Sequence, residues 1–184
     1  MKIILGVTGS IAAFRACELL LTLRKSGHEV RVILTEGAQR FVTPLTFETL
    51  SQQPVGTSLW DQPAHGPVEH IALAQWPEVF VVAPCTANAI ARMAHGFADD
   101  LLTTVILARR PETPVVLAPA MNTRMWENPI VRRNLALLTE GEARFVVVPP
   151  RESLLACGDY GEGALADVAE IVAAIERAGG RRNA

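Results

Sequence analysis

The sequence predicts an α/β fold in which a parallel β-sheet carries helices on both faces. Three observations support this prediction. Short apolar runs alternate with longer segments of helical periodicity along the chain. Each apolar run is nearly continuous, as in strands that are buried on both faces. Glycine, proline or polar residues end the runs, so strands and helices follow one another as repeated β-α-β units.

The first half of the chain begins with an apolar run at residues 2–7, which predicts a strand. A helix is expected from Ser10, a good N-cap, to Gly27, a good C-terminal stop. Residues 28–35 predict a second strand, and a short helix follows with Thr43 as its cap. The proline- and glycine-containing residues 53–68 predict mostly loop.

The second half continues the same alternation. Further strands are expected at residues 78–84, 114–119 and 144–150, and helices at residues 86–96, 98–110, 128–141 and 168–180. We therefore expect a single domain over residues 1–178, followed by a frayed tail at residues 179–184.

Composition and charge argue against several classes of protein. The net charge of −2 and the pI of about 6.1 do not favour general nucleic-acid binding. No apolar run approaches the length of a membrane span. The three cysteines are far apart and odd in number, which argues against a disulfide framework and for a reducing compartment such as the cytoplasm. Lys2 and Lys25, the only lysines, are not placed for a pyridoxal phosphate Schiff base, and no Gly-Lys-Ser/Thr motif predicts a triphosphate loop.

Ligands of open α/β sheets bind beyond the carboxyl ends of the strands, so the residues after each strand are the site candidates. Gly9 and Ser10 follow the first strand, and backbone amides at the start of a helix favour a phosphate. The loop lacks the Gly-x-Gly-x-x-Gly spacing, and it fits equally a tight turn in which Ser10 only caps the helix. Thr35 ends the second strand, with Glu36 beside it, so this position does not exclude a nicotinamide cofactor.

Polar residues also follow the later strands. Thr86 and Asn88 begin a helix, where they would either contact a phosphate or ring carbonyl or simply cap the helix. Asn122, in the stretch APAMNTRMW, directly follows a strand and is a candidate for substrate binding. Cys157 lies in a glycine-rich stretch that predicts a mobile or sharply turned loop with an accessible thiol. His70 is one of four histidines, whose spacing does not suggest a metal site.

Five stretches together make the chain similar to the homo-oligomeric flavin-containing cysteine decarboxylases. They are GSIAA, HIALAQW, VVAPCTANAIARMAHGFADDLLT, APAMNTRMW and LACGDYGEGALAD, and the resemblance runs from Met1 to about Ala173. It is strongest to members that convert 4'-phosphopantothenoylcysteine to 4'-phosphopantetheine in coenzyme A biosynthesis. Cys85 departs from the pattern, because a small Ala or Ser is common there. Ala164 stands where many bacterial members carry Arg, so the contacts of that arginine cannot be transferred.

The resemblance implies a three-layer, Rossmann-like (flavodoxin-like) fold and flavin mononucleotide (FMN) as cofactor. It assigns catalysis to His70 as the base, Asn122 as the binder of the substrate carboxylate and Cys157 as the final acid. It assigns FMN binding to Gly9, Ser10, Ile11, Thr35, Pro84, Thr86 and Asn88, and substrate binding to Met121, Asn122, Ala156 and Gly158. It further implies a homotrimer or homododecamer, for which we expect Trp126 to be an interface anchor, and a phosphopantothenoylcysteine ligase as a separate partner.

Three alternatives remain open. A peptidyl-cysteine decarboxylase of lantibiotic type shares the histidine and asparagine, and Cys157 argues against it. A flavin prenyltransferase shares the fold and cofactor, and the PAMN motif and His70 argue against it. A non-catalytic flavin-binding regulatory subunit usually carries an acidic tail, which this sequence lacks.

Overall fold

The computed structural model describes residues 1–140, 144–155, 158 and 160–180. Its main sheet has the strands β1 (Lys2–Val7), β2 (Glu29–Leu34), β3 (Val55–Gly56), β4 (Val79–Cys85), β5 (Val115–Pro119) and β6 (Phe145–Val147). All neighbours are parallel, and their order in space is β3-β2-β1-β4-β5-β6. This is the Rossmann order, and it becomes the flavodoxin order when the two-residue β3 is left out. The predicted fold class is confirmed.

Helices cover both faces of this sheet. They are α1 (Arg15–Lys25), α2 (Pro44–Ser51), α3 (Glu69–Gln75), α4 (Ala87–Ala94), α5 (Leu101–Leu107), α6 (Thr123–Trp126), α7 (Pro129–Thr139) and α8 (Val168–Gly180). Successive residues of β1 point to opposite faces, as strand geometry requires. Ile3 and Leu5 pack in the layer of α1 and α8, whereas Ile4 packs in the layer of α4, α5 and α7.

A separate antiparallel hairpin consists of β7 (Arg151–Leu154) and β8 (Tyr160–Ala164). The sequence analysis predicted a loop over this glycine-rich stretch, which is wrong for Gly161 and Gly163 because both are strand residues. A Cβ atom at Gly163 would lie well within 3.0 Å of the Met121 carbonyl oxygen, and one at Gly161 would lie 2.7 Å from Thr123 Oγ1. These glycines therefore serve close packing of β8 against the segment after β5.

Other differences from the predictions are local. α3 was not predicted, and it begins directly after the loop expected over residues 53–68. α8 ends at Gly180, as predicted for this helix, so it includes Gly179 and Gly180, the first two residues that were also assigned to the tail. Trp126 is only 3% exposed and packs in the core of its own chain, so the prediction that it anchors an interface is wrong.

The described residues contain neither a membrane-spanning helix nor a cluster of metal ligands. No helix there is long and apolar enough to cross a membrane. No group of three or more His, Cys, Asp and Glu residues in the same ranges is arranged to hold a metal ion.

Candidate active site

A cavity of about 600 Å³ opens at the carboxyl ends of β1, β2, β4 and β5. It lies at the point where the strand order reverses, between β1 and β4, which is the usual ligand site of such sheets. Five of the residues that the family resemblance assigns to FMN line it, namely Gly9, Ser10, Thr35, Thr86 and Asn88. The tertiary structure thus brings these five separate positions to one cavity, which we call the first cavity.

Thr8 joins the loops that follow β1 and β4. Its buried side chain donates to the Pro84 carbonyl oxygen at 2.7 Å and accepts from the Thr86 amide at 3.0 Å. This link holds Ser10 and Thr86 on the same rim of the first cavity. Pro84 itself is buried and contributes its carbonyl group rather than cavity surface. Sequence analysis missed Thr8, although its place directly after a buried strand was a usable signal.

Ser10 and Thr86 both cap helices. Ser10 Oγ accepts a hydrogen bond from the Ala12 amide at 3.3 Å, and Thr86 Oγ1 accepts one from the Ala89 amide at 3.2 Å. Capping uses each hydroxyl as an acceptor and leaves its hydrogen available for donation to a ligand. The capping interpretation and the ligand-binding interpretation are therefore compatible at both positions.

Gly9 and Gly37 form a narrow backbone cradle beside these hydroxyls. A Cβ atom at Gly9 would lie 2.9 Å from the Gly37 carbonyl carbon, so only glycine fits there. Within the described part of the chain, neither amide donates a hydrogen bond, and both residues line the first cavity. Thr35 holds this loop, because its Oγ1 donates to the Val7 carbonyl and accepts from the Ala38 amide, each at 3.3 Å. Free amides and hydroxyl groups in such a cradle suit a phosphate group.

The opposite wall of the first cavity carries charged groups. Arg92 bonds to Asp99 and lies 4.0 Å from Asp100, and its Nε donates to Asn88 Oδ1 at 3.4 Å. The hydrogen bond to Asp99 raises the pKa of Arg92, and the same bond lowers the pKa of Asp99. Arg92 therefore stays charged and positions Asn88 at the cavity rim.

A second cavity of about 460 Å³ adjoins the first, with which it shares Ser10, Ala120 and Met121. Residues of the β7–β8 hairpin form one wall, and Asn122 and Ile11 also line it. The Met121 amide donates to the Gly163 carbonyl at 3.0 Å, which fastens the hairpin over this cavity. Asn122 Oδ1 accepts from the Arg124 amide at 2.9 Å, so the side chain is held at the start of α6.

The remaining site predictions have different outcomes. His70 lies on α3, half-buried, and is not among the residues that line either cavity in the described structure. Gly158 is exposed, with a φ angle of +88°, and lines neither cavity. Ala156 and Cys157 lie outside the described residues. The roles assigned to all these residues stay predictions.

The first cavity fits FMN in size and chemistry. Its volume is within the usual range for small-molecule sites of about 300–1,000 Å³. The glycine cradle and the hydroxyl groups suit the phosphate, and Leu102, Met121 and Met125 offer apolar surface to a planar ring.

The fold and the first cavity define a flavin-binding α/β protein, and the sequence relationships agree. The model of the Flavoprotein family matches residues 1–179, and the chain belongs to this family. A probable phosphopantothenoylcysteine decarboxylase of Streptococcus mutans is 46% identical over 95% of this chain and 97% of its own length. The coenzyme A biosynthesis bifunctional protein CoaBC of Bacillus subtilis is 42% identical over 96% of this chain, which spans only 42% of that relative.

Solved structures point to the same class. A PPC decarboxylase mutant complexed with pantothenoylaminoethenethiol has a TM-score of 0.83 and 34% identity, covering 96% of both chains. The FMN-dependent cysteine decarboxylase SpaF has a TM-score of 0.82 and 32% identity, covering 98% of this chain and 97% of its own. The cofactor of this chain is FMN, as the sequence resemblance implied.

Proposed function

We propose that the protein decarboxylates 4'-phosphopantothenoylcysteine to 4'-phosphopantetheine. The observation that carries this proposal is the pair of adjoining cavities, of which one fits FMN and the other is bordered by Asn122 and the hairpin. Relatives that match nearly the whole chain are named for this decarboxylation or are solved with a related pantothenoyl thiol.

The chemistry explains why these residue types are needed. FMN, when bound, supplies a reversible hydride acceptor. The substrate thiol is thereby oxidised to a C=S group, which acts as the electron sink for decarboxylation, and the same carbon is reduced again afterwards. Asn122 orients the carboxylate so that its breaking bond aligns with the C=S group. His70 takes the thiol proton, and such a positioned base typically contributes about 10²–10⁴-fold to the rate. Cys157 delivers a proton to carbon after CO₂ has left.

We further infer that the protein works as a homotrimer or a multiple of it, up to a dodecamer. Apolar side chains are exposed beside the second cavity, with Ile11 57% and Phe14 63% exposed, and Ile71 is 39% exposed next to His70. In an assembly, a neighbouring copy would cover these side chains and bring His70 to the cavity of another copy. Light scattering tests this inference, and a monomer at working concentration contradicts it.

The remaining inferences concern the cellular setting. A phosphopantothenoylcysteine ligase, as a partner or as a further domain, would supply the substrate, because this chain spans only 42% and 43% of two relatives named as coenzyme A biosynthesis bifunctional proteins. The widely spaced, odd number of cysteines favours a reducing compartment, for which the cytoplasm is the simplest assignment.

The test is CO₂ release from 4'-phosphopantothenoylcysteine by the purified, FMN-loaded protein. His70→Asn is expected to retain FMN and to lose most of this activity, because no base then accepts the thiol proton. His95→Asn is the matched control, since His95 bonds to Asn134 away from both cavities. Full activity of the His70→Asn variant would show that another residue is the base, and His65 would be the next candidate. Absence of CO₂ release by the unchanged protein would overturn the proposed function.

A further inference from the structure

Two arginines converge on the wall of the second cavity. Arg15 comes from α1 and Arg151 from β7, and both line this cavity. Each donates a hydrogen bond to the carbonyl oxygen of Leu165, at 3.4 Å from Arg15 Nη1 and at 3.2 Å from Arg151 Nε. Both also face one carboxylate oxygen, Asp167 Oδ1, at 3.7 Å and 3.3 Å respectively.

This arrangement holds more hydrogen-bond donors than its own partners use, and the carboxylates paired with it are exposed. The side chain of Asp167 is 62% exposed and serves both guanidinium groups at once. The only other carboxylate paired with them in the described ranges is Glu18, also 62% exposed, 3.9 Å from Arg15 Nε. An exposed ion pair of that length contributes little. Nη1 and Nη2 of Arg151 make no hydrogen bond within the described part of the chain.

The hairpin leaves room in front of these donors. Arg151 is the cross-strand partner of Ala164. The methyl group of Ala164 is too small to cover the Arg151 guanidinium group or to compete with it for a ligand. Ala164 lines the same cavity, as does Asn122 near the junction with the first cavity. The second cavity is thus lined by a neutral amide and by two positive charges.

We propose that Arg15 and Arg151 together bind the phosphate monoester of the substrate, while Asp167 positions the two guanidinium groups. This inference rests on the proposed function, whose substrate carries a phosphate and a carboxylate. A phosphate dianion is a stronger partner for the two guanidinium groups than the single exposed carboxylate of Asp167, and guanidinium forks match phosphate oxygens in geometry.

The departing carboxylate is a poor ligand for the same arginines. Loss of CO₂ removes the negative charge of the carboxylate, so strong ion pairing with it would stabilise the ground state more than the transition state and slow the reaction. A neutral amide such as Asn122 orients the carboxylate without this penalty. The phosphate keeps its charge throughout the reaction, so binding it by two arginines lowers KM without opposing the chemical step.

The experiment compares CO₂ release from 4'-phosphopantothenoylcysteine and from pantothenoylcysteine, which lacks the phosphate. Each single variant, Arg15→Gln or Arg151→Gln, is expected to lower kcat/KM for the phosphorylated substrate by about 10- to 100-fold, as charge-assisted hydrogen bonds are lost. The loss is expected mainly in KM. The double variant is expected to act on the two substrates at similar kcat/KM.

Two controls separate this effect from unfolding and from overall charge. The ratio between the two substrates is measured within each variant, so a partial loss of folded protein cancels. Arg133→Gln removes the same charge from an exposed position on α7 that lines neither cavity, and it is expected to keep the wild-type ratio. Calorimetric binding of 4'-phosphopantetheine against pantetheine gives a second readout that does not depend on turnover.

The outcomes separate the two proposals. A double variant that keeps the wild-type preference for the phosphorylated compound overturns the role of the arginines and leaves the proposed function standing. A wild-type protein that releases CO₂ from neither compound overturns the proposed function, and the phosphate assignment with it. Loss of the preference in the double variant, with Arg133→Gln unchanged, supports the inference.

Discussion

Gly163 holds the β7–β8 hairpin against the segment that follows β5, so Gly163→Ala tests how much that contact matters. In the native structure the Gly163 carbonyl accepts from the Met121 amide at 3.0 Å. A Cβ atom added at Gly163 would lie well inside 3.0 Å of the Met121 carbonyl oxygen and 3.3 Å from the Thr123 amide nitrogen. Because the obstacle is backbone, no side-chain rotation relieves the contact, and the hairpin must move.

The cost of the substitution follows from these contacts. Overpacking typically costs about 1–3 kcal/mol. The hydrogen bond that is lost when the hairpin moves adds about 1 kcal/mol. The two costs together are about 2–4 kcal/mol, and the central value of about 3 kcal/mol shifts the balance between docked and displaced hairpin by roughly 150-fold. The hairpin pairs only with itself and is not part of the main sheet, so most of this cost is expected in its docking rather than in global unfolding.

The assay is kcat/KM for CO₂ release, measured together with the melting temperature and the FMN content. Gly163→Ala is expected to lower kcat/KM at least tenfold, to lower the melting temperature only slightly and to leave FMN binding nearly unchanged, since Gly163 lines only the second cavity. Gly180→Ala is the matched control, because a Cβ atom there has no neighbour within 4 Å. Wild-type kcat/KM and melting temperature in Gly163→Ala would show that the hairpin contact is not tight and would refute this reasoning.

Three further predictions follow from the site. Thr8→Val is expected to destabilise the protein by about 2–3 kcal/mol and to weaken FMN binding, because the Thr86 amide loses its acceptor and the Pro84 carbonyl a donor. Thermal melts and flavin titration measure this, and Thr8→Ser should behave as wild type. Burial raises the pKa values of Cys85 and Cys17 above the ordinary thiol range, and the thiolate is the reactive form. In native protein at pH 8, iodoacetamide is therefore expected to spare Cys85 and to modify Cys17 slowly, as peptide mass spectrometry would report; rapid native labelling of Cys85 contradicts its burial. Cys157→Ser is expected to release about one CO₂ per bound FMN and to stop at the ene-thiol, with the two electrons kept on the flavin, because a hydroxyl is a far weaker acid than a thiol of pKa about 8.5. A fully reduced product at the normal rate would exclude Cys157 as the acid.

Much of the first cavity could be predicted from the sequence, because its residues lie directly after strands that periodicity reveals. Gly9, Ser10 and Thr86 were found in this way, and all three line the cavity. Gly37 was missed because nothing in its own neighbourhood shows that its backbone lies against Gly9, on the loop after another strand. The prediction of a loop at the β8 glycines was wrong, because glycine is favoured both in turns and where two backbone segments pack closely, and the sequence does not distinguish the two cases.

The sequence by itself determined the α/β class, the cofactor and the family, because these depend on local periodicity and on short motifs that retain their order along the chain. Only the tertiary structure decided that Thr8 links two loops, that Trp126 is buried rather than an interface anchor, and that Arg15 and Arg151 share Asp167. Each of these contacts joins positions far apart in the chain or depends on which face of an element is covered. Such pairings arise when helices and strands pack together, so no local stretch of sequence contains them.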